Sequence, residues 1–211
     1  YGNIRKAMAF IFAVHVPIAG FALLPLLIGM PILFTPIHIA LLEMIIDPVC
    51  AFVFEAEEAE PDSMQRPPRP PAERLFSWRM IGSSIVQGGV AFAFLAALYA
   101  VAIGQGLVDV HVRTLLFYAL ISSIVALVLA DRSTSASITA SLRRKNVALA
   151  VVLTSVVTIS GAIMLIPGIS ALLRFSMLNG RDWAAAVSIG VALFLLFQTM
   201  KTLAVSRFWR C

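Results

Sequence analysis

The segment Ile32–Phe54, ILFTPIHIALLEMIIDPVCAFVF, decides the fold. A helix needs about 20 predominantly apolar residues to cross a hydrocarbon core, and this run is long enough. Two acids, Glu43 and Asp47, sit deep inside it, and Pro48 follows directly. The composition of the whole chain agrees with a membrane setting. Its 211 residues are 60 % hydrophobic and 13 % charged, with a mean hydropathy of +0.95. Soluble domains are about 45–50 % apolar and about 25 % charged. Disorder, a nucleic-acid-binding module and an ordinary soluble enzyme are therefore excluded, and nucleic acid is not an expected partner. The apolar runs are long and unbroken rather than alternating, which excludes a transmembrane β-barrel.

The fold expected is all-α: a polytopic membrane protein, one six-helix transmembrane bundle over 1–211 with short loops. Spans are expected at 7–28, 32–54, 78–103, 114–130, 147–166 and 183–203. Gly29-Met30-Pro31 forms a very short turn, so the first two spans are expected to be neighbours. The polar stretch 55–77 holds Glu55, Glu57, Glu58, Glu60 and Asp62, then the stiff run Arg66–Pro71. A Ser/Thr- and Arg-rich loop covers 131–146, and a basic tail ends at Cys211. Gly82, Gly88 and Gly89 in the third span mark places where another helix can approach closely. Cys50 and Cys211 lie far apart and suggest no disulfide framework.

Charge gives the orientation. The net charge of +5 comes from 16 Lys and Arg against 11 Asp and Glu. Only Arg113, Arg174 and Arg181 fall on one side of such a bundle, and the other basic residues fall on the side of the termini. Basic residues collect on the cytoplasmic side, so both termini are expected there, in a plasma or inner membrane. No signal peptide is expected, and the opening Tyr1–Met8 reads as the continuation of a longer chain. No internal repeat is evident, which weakens a secondary transporter built on inverted halves.

The chemistry concentrates on Glu43 and Asp47. A charge at the centre of a membrane helix costs about 2.5–3.5 kcal/mol on insertion, and such residues default to a functional reading. The i, i+4 spacing puts both carboxylates on one face, a turn apart. They can share a cation; without one they repel, and at least one takes up a proton. Pro48 has no N–H, so the Met44 carbonyl loses its helical donor, and a cation can replace it. Pro17 does the same to the Ala13 carbonyl near His15. Two proline-interrupted helices with carboxylates at one break suit a mid-membrane ion site. His15, Ser122, Ser123 and Gln198 are further candidate donors. The competing reading is structural: the acids hydrogen-bonded to other helices, the serines acting as packing glue. No phosphate-binding Gly-x-x-x-x-Gly-Lys-Ser/Thr loop and no His-Glu-x-x-His motif occurs, and the longest polar loop is 55–77. The chain alone is not expected to hydrolyse ATP.

Several of these residues fall in a familiar order. Asn3-Ile4-Arg5-Lys6-Ala7 opens a proline-broken helix, a short turn follows, and then Leu41-Leu42-Glu43-Met44-Ile45-Ile46-Asp47-Pro48 leads through an acidic stretch to Met64-Gln65-Arg66-Pro67-Pro68-Arg69. This resembles the C-terminal six-helix half of the membrane domain of P-type cation-transporting ATPases, of the calcium-pump-like branch. The likeness covers essentially the whole chain and is strongest over about the first 80 residues. It implies an upstream half carrying the first four membrane helices and the cytoplasmic domains, where ATP and Mg2+ act. It also implies that phosphorylation there tilts the first helix of this chain. Asp47 stands at the family's ion-binding aspartate. Glu43 stands where calcium pumps have Asn, Ile46 replaces Thr, His15 replaces Asn, Ile18 replaces an acid, and Ser122-Ser123 lies near a further ligand position. The donor set is thus poorer than that of a calcium pump, whose ion takes 6–8 oxygens. Calcium is the family default, but a proton, a monovalent ion or another divalent cation fits this set equally. The expected function is cation translocation, with the lipid bilayer and the upstream half as partners. A non-catalytic membrane scaffold and an ion-coupled secondary transporter are the alternatives.

Overall fold

Helices account for the fold of this chain, described by a computed structural model over residues 1–58, 75–132 and 145–204, the last three as backbone alone. The elements are α1 (Gly2–Leu27), α2 (Pro36–Pro48), a π-helical turn (Val49–Val53), α3 (Trp78–Gly104), α4 (Asp109–Asp131), α5 (Val147–Leu165), the short α6 (Pro167–Leu172) and α7 (Gly180–Ala204). No strand occurs among the described residues. Six of these helical stretches are long and apolar enough to cross a membrane, the second being α2 with its π-turn. The run Arg66–Pro71, the Met64–Arg69 motif, most of the 131–146 loop, the basic tail and Cys211 lie outside the described residues.

Helix ends follow local chemistry more than hydropathy. α1 begins at Gly2 because Asn3, Arg5 and Lys6 are helical formers or tolerated in a first turn, although none is apolar. α2 begins only at Pro36, the first-turn position that suits proline, with Thr35 and His38 forming a reciprocal cap. α4 begins at Asp109, five residues before the apolar run. The acid favours the helix N-terminus, and Arg113 in the next turn has its charge spent on two carbonyls, Leu33 at 2.7 Å and Arg174 at 3.4 Å. Pro167 starts α6, a turn of helix that apolar patterning does not announce.

α4 is the central post. Its membrane-crossing window is 83 % buried inside the chain, against at most 39 % for any other. α1 lies along α3, and α7 along α4; α2 rests on α4 and α5, and the π-turn on α5. α1 and α2 share little direct packing despite their short connection. Both rest on α4, and side chains bring them together, His15 of α1 coming within 3.6 Å of Glu43 of α2. Aromatic rings fill the opposite end from Gly2, where Phe34, His38, Phe117 and Phe175 pack tilted or edge-on, His38 to Phe175 at 5.1 Å between centroids.

Of the four glycines in α3, only Gly88 serves a close approach. A Cβ on Gly88 would collide with the Ala13 carbonyl and Val16 of α1, whereas one on Gly82 or Gly89 meets nothing within 4 Å. The carbonyl left without a helical donor by Pro17 is therefore packed against Gly88, and Ala13 is fully buried. That carbonyl points into the α1–α3 contact. Small residues at such a crossing let backbones touch. Gly88→Ala is expected to destabilise the chain by about 1–3 kcal/mol through overpacking against a backbone atom. Gly89→Ala, into open space on the same helix, is expected to be near neutral. Thermal unfolding of the two variants in one detergent checks the difference.

Candidate functional site

Glu43 and Asp47 lie on α2 as the spacing requires, one turn apart, but the chain covers them unequally. Glu43 is half-buried and Asp47 is exposed. His15 of α1 reaches across the gap between the two helices, its Nε2 3.6 Å from Glu43 Oε1, with both side chains partly open. Its Nδ1 lies 2.8 Å from the Ile11 carbonyl, so Nδ1 carries the proton and donates there. In that neutral tautomer Nε2 is left as an acceptor facing a carboxylate.

Ile37, Ala40, Met44, Asp47 and Ala51 form an exposed stripe along α2 and the π-turn, with Glu43 at its edge. Across the gap, α1 exposes His15, Ala19 and Leu23. The stripe is apolar except for its one carboxylate, and the flanking alanines leave room for another helix.

Pro48 does not end the helix. It gives the Met44 carbonyl no N–H, and the N–H of Val49 goes instead to the Ile45 and Ile46 carbonyls. The backbone then widens into the π-turn, closed by Phe54 N–H to Val49 O at 3.2 Å. Single π-turns inside helices often accompany functional sites. The Met44 carbonyl is thus available between Glu43 and Asp47. Among the described residues no group of three or more His, Cys, Asp or Glu side chains comes together as a metal centre. Any cation held here would need oxygens from backbone, water or segments outside this chain.

The other candidates lie elsewhere. Ser123 is buried and its hydroxyl donates to Ala119 O in its own helix at 2.8 Å. Ser122 packs against Gly190, where even a Cβ would collide with its hydroxyl and carbonyl. Both serve α4 and its contact with α7. Gln198 is buried in α7 with neither amide atom hydrogen-bonded, as is one oxygen of Asp131. Asp131 accepts from Gln87 of α3 at 3.0 Å, and the Lys201 ammonium donates to Ala130 O.

A second polar centre escaped the sequence reading. Glu57, expected in a solvated loop, is 5 % exposed and clasped by the equally buried Arg132, Nε to Oε2 at 2.8 Å and a second nitrogen to Oε1 at 3.4 Å. Asn146 donates to Glu57 Oε2 and to the Val53 carbonyl, both at 2.9 Å, while its own carbonyl oxygen caps α5 by accepting from Leu149 N–H. Asn3 of α1 donates to Glu57 O at 2.7 Å, and Lys6 donates to Arg132 O at 2.8 Å. Removing one member of a buried ion pair costs about 3–5 kcal/mol, because the other is left unpaired. No periodicity links Glu57 to Arg132, 75 residues away; the only signal is that each is a charge abutting the end of an apolar run.

An all-α, multi-pass membrane domain with carboxylates on an uncovered helix face is thus the class of protein defined by these features. The family described as "Cation transporting ATPase, C-terminus" matches residues 31–203, and the chain belongs to it. Comparison with curated proteins finds no match. Membership makes this chain the C-terminal membrane part of a cation-transporting ATPase, and so part of a larger pump polypeptide.

Asn146 caps a helix and also donates to two buried acceptors, whereas Ser77 only caps α3 by accepting from Met80 N–H at 3.2 Å. Loss of a cap alone costs about 0.5–2 kcal/mol. Asn146→Ala is expected to exceed Ser77→Ala by about 1 kcal/mol or more, as read by thermal unfolding in detergent.

Proposed function

We propose that this chain is the ion-translocating half of an ATP-driven pump of the calcium-pump-like branch, and that Glu43 and Asp47, beside the Pro48 break, hold the transported cation. One observation carries the reading: a carboxylate pair a turn apart on a membrane helix, on a face that the chain itself leaves open. A carboxylate facing hydrocarbon costs about 2.5–3.5 kcal/mol, so that face calls for a cover other than lipid tails. The upstream half of the same polypeptide, with its four membrane helices, is the cover we assign. ATP and Mg2+ chemistry belongs to its cytoplasmic domains, and α1 is the rod through which phosphorylation moves the site. The basic residues at the end holding the N-terminus, Glu57 and Arg132 support assigning that end to the cytoplasm.

Glu43, Asp47, the Met44 carbonyl and water give a donor set that calcium accepts, and calcium is the ion we assign by default. His15, beside Glu43, supplies a titratable group that favours proton exchange against that ion. The approach of His15 to Glu43, at 3.6 Å, favours a second reading, in which the acids are structural members of a membrane scaffold.

Asp47→Asn in the complete pump is expected to abolish cation-stimulated phosphorylation and transport. Retained transport removes Asp47 from the ligand set. Glu43→Gln separates the two readings: a ligand role lowers cation affinity, whereas a scaffold role lowers detergent stability and leaves affinity unchanged.

A further inference from the structure

The buried cluster at the basic end touches the element that carries the acids. Asn146 holds the Val53 carbonyl, the last residue of the π-turn, and Glu57 lies four residues further along the same chain. Phe54, between them, packs its ring on Phe10 of α1 at 5.5 Å between centroids. Among the described residues, Glu57 ties the exit of the acid-bearing helix to Arg132 at the end of α4, Asn146 at the start of α5 and Asn3 in the first turn of α1. Lys6, one turn further along α1, closes the ring onto the Arg132 carbonyl.

A π-turn is a helix with one residue too many per turn, and it can shift along its helix by exchanging hydrogen bonds. Pro48 fixes where it starts, because no N–H is available there. Its other end has no such covalent stop. There the Asn146 and Glu57 contacts hold it. Sliding that end rotates or translates Asp47 and Glu43 relative to His15. This ring is one link between α1 and the acid-bearing segment, beside the Phe10–Phe54 ring contact and the approach of His15 to Glu43.

We propose that Glu57 is a positioning residue: clasped by Arg132, it locks the π-turn and so fixes the two carboxylates relative to α1. It also gives α1 a handle on the site, since a displacement of the first turn of α1 acts directly on the Glu57 carbonyl through Asn3. The inference rests on the pump reading for its consequence in transport, but the lock itself does not need that reading. Arg is suited to it, because its planar fork meets both oxygens of one carboxylate and so fixes direction as well as distance.

The test uses the complete pump polypeptide in lipid nanodiscs, with Glu57→Gln compared against wild type and Asp47→Asn. Two measurements are taken: peptide-resolved hydrogen exchange over 49–57 and over α7, and the calcium dependence of ATP hydrolysis. Glu57→Gln is expected to speed exchange across 49–57 by about threefold or more while α7 is unchanged. It is expected to raise the half-maximal calcium concentration by about fivefold or more with the maximal rate retained. Arg132→Gln should give the same pattern, and the double variant should be no worse than either single one, as for two members of one interaction. If Glu57→Gln fails to fold, Arg132→Lys keeps the charge, loses the fork and answers the same question. Unchanged exchange over 49–57 overturns the lock, and so does faster exchange with an unaltered calcium dependence. A uniform rise in exchange that includes α7 overturns it too, since that reports general destabilisation. Faster exchange confined to 49–57 in a protein that no cation stimulates leaves the lock standing and removes the pump reading instead.

Discussion

Two carboxylates a turn apart in a helix that crosses oil constrain everything around them. They cannot both stay ionised and bare, so they take a proton, a cation or a polar cover. This chain provides part of such a cover. Glu43 has His15 as a neighbour, while Asp47 looks outward from a stripe of otherwise apolar residues. Membership in a cation-transporting ATPase family makes the chain part of a larger pump polypeptide, and the proposed cover for that opening is the rest of that polypeptide. The little direct backbone packing between α1 and α2 leaves the acids at a seam and not in a close-packed core.

Rigidity is supplied elsewhere. α4 is enclosed by its neighbours, α1 locks into α3 where Gly88 meets the Ala13 carbonyl, and α7 locks onto α4 where Gly190 meets Ser122. Around this frame the acid-bearing helix is held at both ends. At one end His38 donates to the Leu173 carbonyl at 2.8 Å and accepts from Thr35 N–H at 3.1 Å. At the other, Glu57 is gripped by Arg132 and Asn146. The middle, with Pro48 and the π-turn, is the part left adjustable. A fixed frame with one adjustable helix lets a small displacement at one end change the geometry of the carboxylate pair.

Fold class and helix number were legible because hydrocarbon imposes one rule, that every backbone polar group be satisfied within its own segment. Ends were less legible, since Asn3, Lys6 and Asp109 are helical despite their polarity and Pro167 starts a turn of helix where only a loop was expected. The acids were legible from rarity alone. Their surroundings were not: a proline in sequence shows which carbonyl loses its donor but not where that carbonyl points, and the Ala13 carbonyl turned out to face Gly88. Ser122 and Ser123 were placed by likeness, yet their hydroxyls belong to the α4–α7 contact and to the Ala119 carbonyl. Glu57 was hidden among the acids that follow it, because a charge destined for burial has no local mark when its partner lies in a distant loop.

Equilibrium binding of radioactive calcium to the complete pump polypeptide, wild type against Glu43→Gln/Asp47→Asn, addresses the central claim most directly. Saturable binding to the wild type that vanishes in the double variant, with both proteins folded, is the result predicted. Undiminished binding to the double variant would contradict the account, because the transported ion would then be held without the carboxylate pair.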